Sequence, residues 1–374
     1  MKKDLLMWDE TLFRDVEVFE IDYMPEQFNH RDSQIRELAF HVKPGMMGAR
    51  PLNTICKGLP GTGKTTTIKK LFKEIEETTK KLIPVYVNCQ IDNTKFAIFS
   101  QIYKSLTNRP PPASGTSFKN LFDMVCRLIE EKNAVLLVCL DDANYLLYEK
   151  EINKVLYTLL RSHESHPGVR MGVITVISDM SVNLMQEVDV RVSSVFRPTE
   201  IYFSPYDEPE IRDILNERVK QGLYPGVITN EMLDLVVEQT MKSGDLRVGI
   251  DLLKRAALNA EMDARREIEK DDICRAYLIS KNLHLSSTIK TLNAEEKKIL
   301  KLMAGMAEEE KEMTSSIVFE EIKKEIKIGY TRFYEIVKKF DSMRLVNLNY
   351  REGRGRTRVI TLRYEPARVI EILP

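Results

Sequence analysis

The sequence has one tryptophan, Trp8, and only five cysteines, with no pair at C-x-x-C spacing. That excludes a disulfide frame and a cysteine-built zinc site as organising features. Cys56, Cys89, Cys126, Cys139 and Cys274 are scattered, three of them inside apolar runs, and read as reduced, buried small hydrophobes. A surplus of charge is also missing. Lys plus Arg and Asp plus Glu both total 56, so a polyanionic partner has to be sought in local clusters. No apolar run approaches the roughly 18 residues of a membrane span, the best being Ala134 to Leu140. The opening Met1-Lys2-Lys3-Asp4 turns acidic at once and carries no apolar signal core. These absences lead to the expectation of a soluble, cytoplasmic protein. His163 and His166 stand beside Pro167-Gly168 with no cysteine near, which reads as a solvent loop and not a metal site.

What is present begins with length: 374 residues accommodate two or three domains. Residues 1–50 are a polar, partly helical lead-in. Strand-like segments follow at Leu52–Lys57, Ile83–Asn88, Ala134–Leu140, Met171–Ile177 and Glu200–Phe203. They are rich in Val, Ile and Leu and mostly continuous, the pattern of strands covered on both faces of a parallel sheet. Between them Thr65–Lys80, Phe96–Leu106, Ser117–Lys132 and Glu149–Glu164 have helical spacing, giving an α/β doubly wound module. Beyond Pro209 strands vanish, and Glu210–Gln221, Thr229–Lys242, Asp245–Glu267 and Lys270–Leu283 predict a small all-helical domain, with Ser286–Thr291 as a linker. The expected division is 1–205, 206–288 and 289–374.

Gly58-Leu59-Pro60-Gly61-Thr62-Gly63-Lys64-Thr65 matches G-x-x-x-x-G-K-[ST] between a strand and a helix, the context this phosphate-binding loop requires. Glycines let the backbone curl so that several N–H groups face one phosphate, and the following helix adds its positive dipole end. Pro60, Thr62, Gly63 and Thr66 belong to the same cradle. Lys64 is assigned to the β- and γ-phosphates and Thr65 to Mg²⁺. The apolar strand Val135–Leu140 ends in Asp141-Asp142, bringing a carboxylate, Asp141, to the metal's shell. An acidic pair at a strand end is alone no more than a solvated terminus; the cradle upstream gives it meaning.

The last part of the chain, three helices at Ala294–Ala307, Ser315–Ile326 and Tyr330–Met343 and a hairpin at Leu345–Tyr364, reads as a winged helix. In its third helix Phe333, Ile336, Val337 and Phe340 share an apolar face, leaving Thr331, Arg332, Glu335 and Lys339 for the major groove of duplex DNA. From Arg351 to Arg363 there are five arginines (Arg351, Arg354, Arg356, Arg358, Arg363) against one acid, Glu352. Such a local excess suits phosphate or a narrow minor groove. A charged hairpin of a protein-binding winged helix is the plainer alternative.

The ordered series resembles the archaeal origin-recognition and cell-division-control replication initiators, AAA+ ATPases with a C-terminal winged helix, over essentially the whole chain. Leu12-Phe13-Arg14-Asp15 and Tyr23-Met24-Pro25-Glu26-Gln27-Phe28-Asn29-His30-Arg31 are similar to that family's adenine-side segment. Arg191-Val192-Ser193-Ser194 with Ile201-Tyr202-Phe203-Ser204-Pro205-Tyr206 resembles its signature at the end of the ATPase core. The resemblance implies a core, a helical lid and a winged helix. It makes Arg191 a finger for a neighbouring subunit's γ-phosphate, Tyr206 and Arg218 nucleotide-lining residues, and Arg247, within Gly244-Asp245-Leu246-Arg247, the second sensor. It further implies ATP or ADP with Mg²⁺ as cofactors, origin DNA as partner, a replicative helicase to be loaded, self-association on DNA, and a nucleoid-associated location. An inserted helix within Asn93–Ser117 is the segment expected to add a further DNA contact.

Two departures bear on rate. The second acid is Asp142 where AAA+ enzymes commonly have Glu, and the first sensor, usually Asn, is either Ser178 or Asp179. Both point to slow hydrolysis, with nucleotide acting chiefly as a conformational state. Rival readings are a branch-migration motor, which needs fast DNA-stimulated turnover and ring assembly, and a regulatory ATPase whose winged helix binds proteins. A clamp-loader subunit would not end in an arginine-rich hairpin.

Overall fold

The computed structural model describes residues 11–25, 29–112, 115–180, 182–350 and 358–373. They divide into two compact units, residues 26–205 and residues 1–25 with 206–374.

In the first unit α1 (Asp32–Met46) precedes β1 (Thr54–Lys57), and α2 (Lys64–Thr78) leads to β2 (Leu82–Asn88). Two helices, α3 (Lys95–Thr107) and α4 (Phe118–Glu131), connect β2 to β3 (Val135–Asp141). Short helices α5 (Asn144–Tyr148), α6 (Ile152–Leu160) and α7 (Ser162–Ser165) lead to β4 (Met171–Ile177). Then α8 (Leu184–Glu187) and α9 (Val190–Phe196) precede β5 (Thr199–Tyr202). All five strands are parallel, in the order β2-β3-β4-β1-β5. Every residue of β3 and β4 is buried, which is why both read as unbroken apolar runs. One expectation needs correction: residues 149–164 are not a single helix. Lys150 adopts a left-handed φ of 57° and Glu151 then starts α6 afresh.

In the second unit the helical lid comprises α10 (Glu208–Gly222), α11 (Asn230–Ser243), α12 (Leu246–Met262) and α13 (Lys270–Lys290). The α10 start is fixed by a capping box in which Asp207 and Glu210 satisfy each other's backbone N–H groups. The segment 11–25, grouped with the nucleotide core in the sequence division, packs its four buried residues with these lid helices instead. Leu12, Phe13, Val18 and Phe19 share an apolar cluster with Leu215, Leu233 and Leu253. Gly222 accommodates the Phe19 ring, which would stand 2.3 Å from any added Cβ.

Two boundaries also shift. The helix expected over 245–267 stops at Met262, because Ala264 turns left-handed at φ 53°. The expected linker Ser286–Thr291 is almost wholly helical: α13 continues to Lys290. Its Leu285 and Ile289, one turn apart, are buried in the core of the last domain. That domain contains α14 (Ala294–Glu308), α15 (Ser315–Glu325), α16 (Tyr330–Ser342), an antiparallel hairpin of β6 (Val346–Tyr350) and β7 (Arg358–Leu362), and α17 (Pro366–Ile372). An isolated bridge between Thr314 and Val359 supplies the third strand position of a winged helix. Among the described residues no helix is long and apolar enough to cross a membrane.

Candidate nucleotide site and DNA-reading face

The phosphate loop leaves β1 at Lys57 and enters α2 at Lys64. Gly61 and Gly63 have φ of 73° and 84°, a region that strains any side chain, and so permit the curl. At Gly58 the constraint is space: a Cβ would sit 2.4 Å from the carbonyl oxygen of Phe203 beyond β5. The Thr62 hydroxyl donates to the Leu59 carbonyl at 2.8 Å and closes the curl. Lys64 is buried, and its ammonium donates to the carbonyls of Gly58 (2.8 Å) and Leu59 (2.7 Å). Pro60, inside the loop, and Thr66, just past it, are both half-buried.

At the start of α2 the Thr65 hydroxyl donates to Asp141 Oδ2 at 2.7 Å. A hydroxyl and a carboxylate so close are the hard oxygen pair that Mg²⁺ takes from proteins, which it binds through few side chains plus phosphate and water. The two residues therefore fit the metal the loop implies. Tyr86, missed in the sequence, donates its phenol to the same Asp141 Oδ2 at 2.6 Å. Burial and the neighbouring carboxylate push that phenol well above its ordinary pKa, so Tyr86 remains a proton donor that orients Asp141. Its signal was faint: one aromatic in the strand beside the acid-bearing one.

Asp142 is held at a left-handed φ of 52°, and its Oδ1 accepts from the Ser178 hydroxyl at 2.9 Å. Asp179 is buried and accepts from the Tyr148 phenol at 3.0 Å. Of the two residues left open as first sensor, Ser178 is the one brought against the acidic pair. Arg191 lies on α9 with 77% of its side chain exposed and Asp189 3.4 Å away.

The remaining expected nucleotide residues lie in the second unit. The Arg218 guanidinium stacks 4.6 Å from the Tyr23 ring centroid and donates to the Val18 carbonyl at 2.6 Å. Burial lowers its pKa, with Tyr23 opposing. The Tyr23 phenol donates to Gln221 Oε1 at 2.9 Å. Tyr206 is buried in the lid cluster. Arg247, in the first turn of α12, is about half exposed and makes a forked pair with Asp245, whose Oδ2 lies 2.6 Å from Nη2.

In the winged helix Phe333, Ile336, Val337 and Phe340 are buried as expected, and Thr331 is exposed. Arg332 is 52% exposed, within 3.6 Å of Glu295 and 3.5 Å of Glu335. Lys339 corrects the groove assignment. It is buried and its ammonium donates to Glu296 Oε1 on α14 at 3.0 Å. The physical reason is its partner: on the helical wheel Lys339 falls between the exposed Glu335 and Arg332, but further along α16 the buried Glu296 of α14 faces it and takes its ammonium out of solvent. Arg358, at the base of the wing, lies over the Tyr334 ring at 4.7 Å and hydrogen-bonds its phenol. That bond lowers the Tyr334 pKa. Arg351, Arg354 and Arg356 lie outside the described residues.

A parallel sheet with this phosphate loop, followed by a helical lid and a winged helix, defines an AAA+ ATPase with a C-terminal winged helix. An AAA domain family matches residues 49–177, and the Cdc6 AAA+ ATPase-type lid domain matches residues 212–278. The chain is 44% identical over 372 residues to ORC1-type DNA replication protein 3 of Haloarcula marismortui, covering 99% of this chain and 98% of that one. Among solved structures it resembles the Aeropyrum pernix ORC2 protein in its ADPNP–ADP complexes (TM-score 0.73, 24% identity, 97% of each chain). It also resembles the Aeropyrum pernix ORC1 protein in complex with DNA (TM-score 0.69, 23% identity, 98% of this chain and 97% of that one). The chain belongs to the ORC1-type DNA replication protein family, the replication initiators.

Proposed function

We propose that this initiator binds ATP with Mg²⁺ on the 58–65 loop, hydrolyses it slowly, and uses the bound nucleotide to set how its winged helix grips origin duplex DNA before a replicative helicase is loaded. The observation carrying the nucleotide half is the assembly of Lys64, Thr65, Asp141 and Tyr86 at one end of the sheet. In this reading Mg²⁺ supplies charge neutralisation at the phosphates. The chain's own residues do the rest: loop N–H groups orient the phosphates, Lys64 offsets their charge, and Tyr86 holds the Asp141 carboxylate. Tyr23, Tyr206 and Arg218 form the adenine side, and Arg247 is the lid's phosphate sensor. Arg191 serves a neighbouring copy when the protein self-associates on DNA. The location is cytoplasmic, on the nucleoid.

Slow turnover follows from Asp142, one methylene shorter than glutamate and tethered to Ser178. Single-turnover hydrolysis should fall at least several-fold in Asp142→Asn; an unchanged rate means that Asp142 does not position the attacking water. Because an arginine finger contributes about 10³–10⁵ in rate, the isolated monomer should hydrolyse far more slowly than DNA-assembled protein.

For DNA, Thr331 and Arg332 read the groove while Arg351, Arg354, Arg356 and Arg358 grip phosphate. Stacking on Tyr334 holds Arg358 at the helix–wing junction. The segment Asn93–Ser117, which contains α3 and exposes Lys104 and Arg109, is the further contact within the core. Replacing Arg354 and Arg356 by Ala should weaken binding to every duplex and lower the slope of log affinity against log salt by about two. A salt slope equal to wild type would remove the wing from the interface.

A further inference from the structure

One of the groups that hold the phosphate loop in shape comes from outside the motif. Arg31 stands at the start of α1, after His30 has turned the chain through a left-handed φ of 68°. Its side chain is only 2% exposed. The guanidinium donates from Nε to the Thr62 carbonyl at 2.9 Å and from Nη2 to the Ser204 carbonyl at 2.7 Å. A third bond goes from Nη1 to the His30 carbonyl at 2.8 Å. One planar fork thus joins the phosphate loop to the chain just beyond β5. Gly58 makes the matching contact, since its Cα face is closed by the Phe203 carbonyl.

Peptide geometry makes the Thr62 bond consequential. In a trans peptide the carbonyl of one residue and the N–H of the next point in opposite directions. Fixing the Thr62 oxygen on Arg31 therefore fixes the Gly63 N–H away from Arg31. The other side of Gly63 is fixed as well, because its carbonyl accepts from both the Thr67 backbone (2.9 Å) and the Thr67 hydroxyl (2.8 Å). Gly63 is the N-cap of α2, where an unsatisfied N–H meets an anion. A glycine-rich loop has many backbone states, and preorganisation of its donors sets how strongly it binds.

We infer that Arg31 is a positioning residue for phosphate binding: it aims the Gly63 N–H into the cradle without itself touching the nucleotide. The inference rests on the reading of the 58–65 loop as the ATP site. It is tested by calorimetric titration of the full chain with ATP and, separately, with inorganic pyrophosphate. Arg31→Lys retains the charge and the aliphatic stem but can reach fewer of the three carbonyls, and it keeps the test meaningful if Arg31→Ala does not fold. For folded Arg31→Lys, both ligands should bind about ten- to thirtyfold more weakly, by the same factor, as expected for one or two misdirected hydrogen bonds. A folded variant that binds both ligands like wild type gives Arg31 a purely structural role and overturns the inference. So does a loss confined to ATP, which would place the effect on the adenine side. Wild-type protein that binds neither ligand sinks the nucleotide reading and this inference with it.

Discussion

Alanine in place of Lys64 is expected to weaken ATP binding by about 10²–10³-fold, the loss of a buried, charge-assisted contact to phosphate. The ammonium already lies over the loop, bonded to the Gly58 and Leu59 carbonyls, so the wild-type chain needs little reordering to engage a ligand. The same bonds tie the loop to itself, so some of the effect passes through loop shape. Lys64→Arg separates the two contributions: it keeps the charge but cannot occupy the same narrow space. A fluorescent ATP analogue titrated into each variant reads the affinities, with thermal melting as the check on folding. Affinity within threefold of wild type in Lys64→Ala would remove Lys64 from the site.

The second large effect concerns the winged helix. Lys339 and Glu296 form a buried ion pair, and Glu296 also accepts from the Asn293 backbone as part of the α14 capping box. Lys339→Met leaves a buried carboxylate without its cation and should cost about 3–5 kcal/mol of domain stability. Adding Glu296→Gln removes the stranded charge while retaining a cap acceptor, so the double variant should recover most of that loss. Urea denaturation followed by circular dichroism measures both. The folded double variant should still bind duplex DNA within about threefold of wild type, because Lys339 faces the core. A single variant as stable as wild type would contradict the pair's role, and a double variant that folds but has lost DNA binding would return Lys339 to the groove.

The sheet and loop were legible because their physics is local. Strands β3 and β4 must be apolar on both faces, and the loop must place glycine where φ is positive. The site's supports were not, since they come from segments distant in sequence. Tyr86 reaches Asp141 across neighbouring strands, and Arg31 reaches Thr62 and Ser204 across the whole first unit. Tyr86 leaves no mark on its own neighbours in sequence, and the segment ending in Arg31 pointed to the adenine side and not to the phosphate loop. The misplaced linker is a different kind of miss. The expected linker lies at Ser286–Thr291, yet a helix that already buries Leu285 and Ile289 has no reason to stop between them. In α16, sorting residues by charge alone put Lys339 in the groove. The facing Glu296 on α14 decides otherwise.

The account's central claim is that phosphate at the 58–65 loop governs the winged helix's hold on duplex DNA. Its most direct test is a fluorescence-anisotropy titration of origin duplex at fixed salt, with wild type and Lys64→Ala, each in ATP and in ADP. The account predicts a clear difference in wild-type affinity between the two nucleotides and none in the variant. Equal wild-type affinity in ATP and ADP would contradict it.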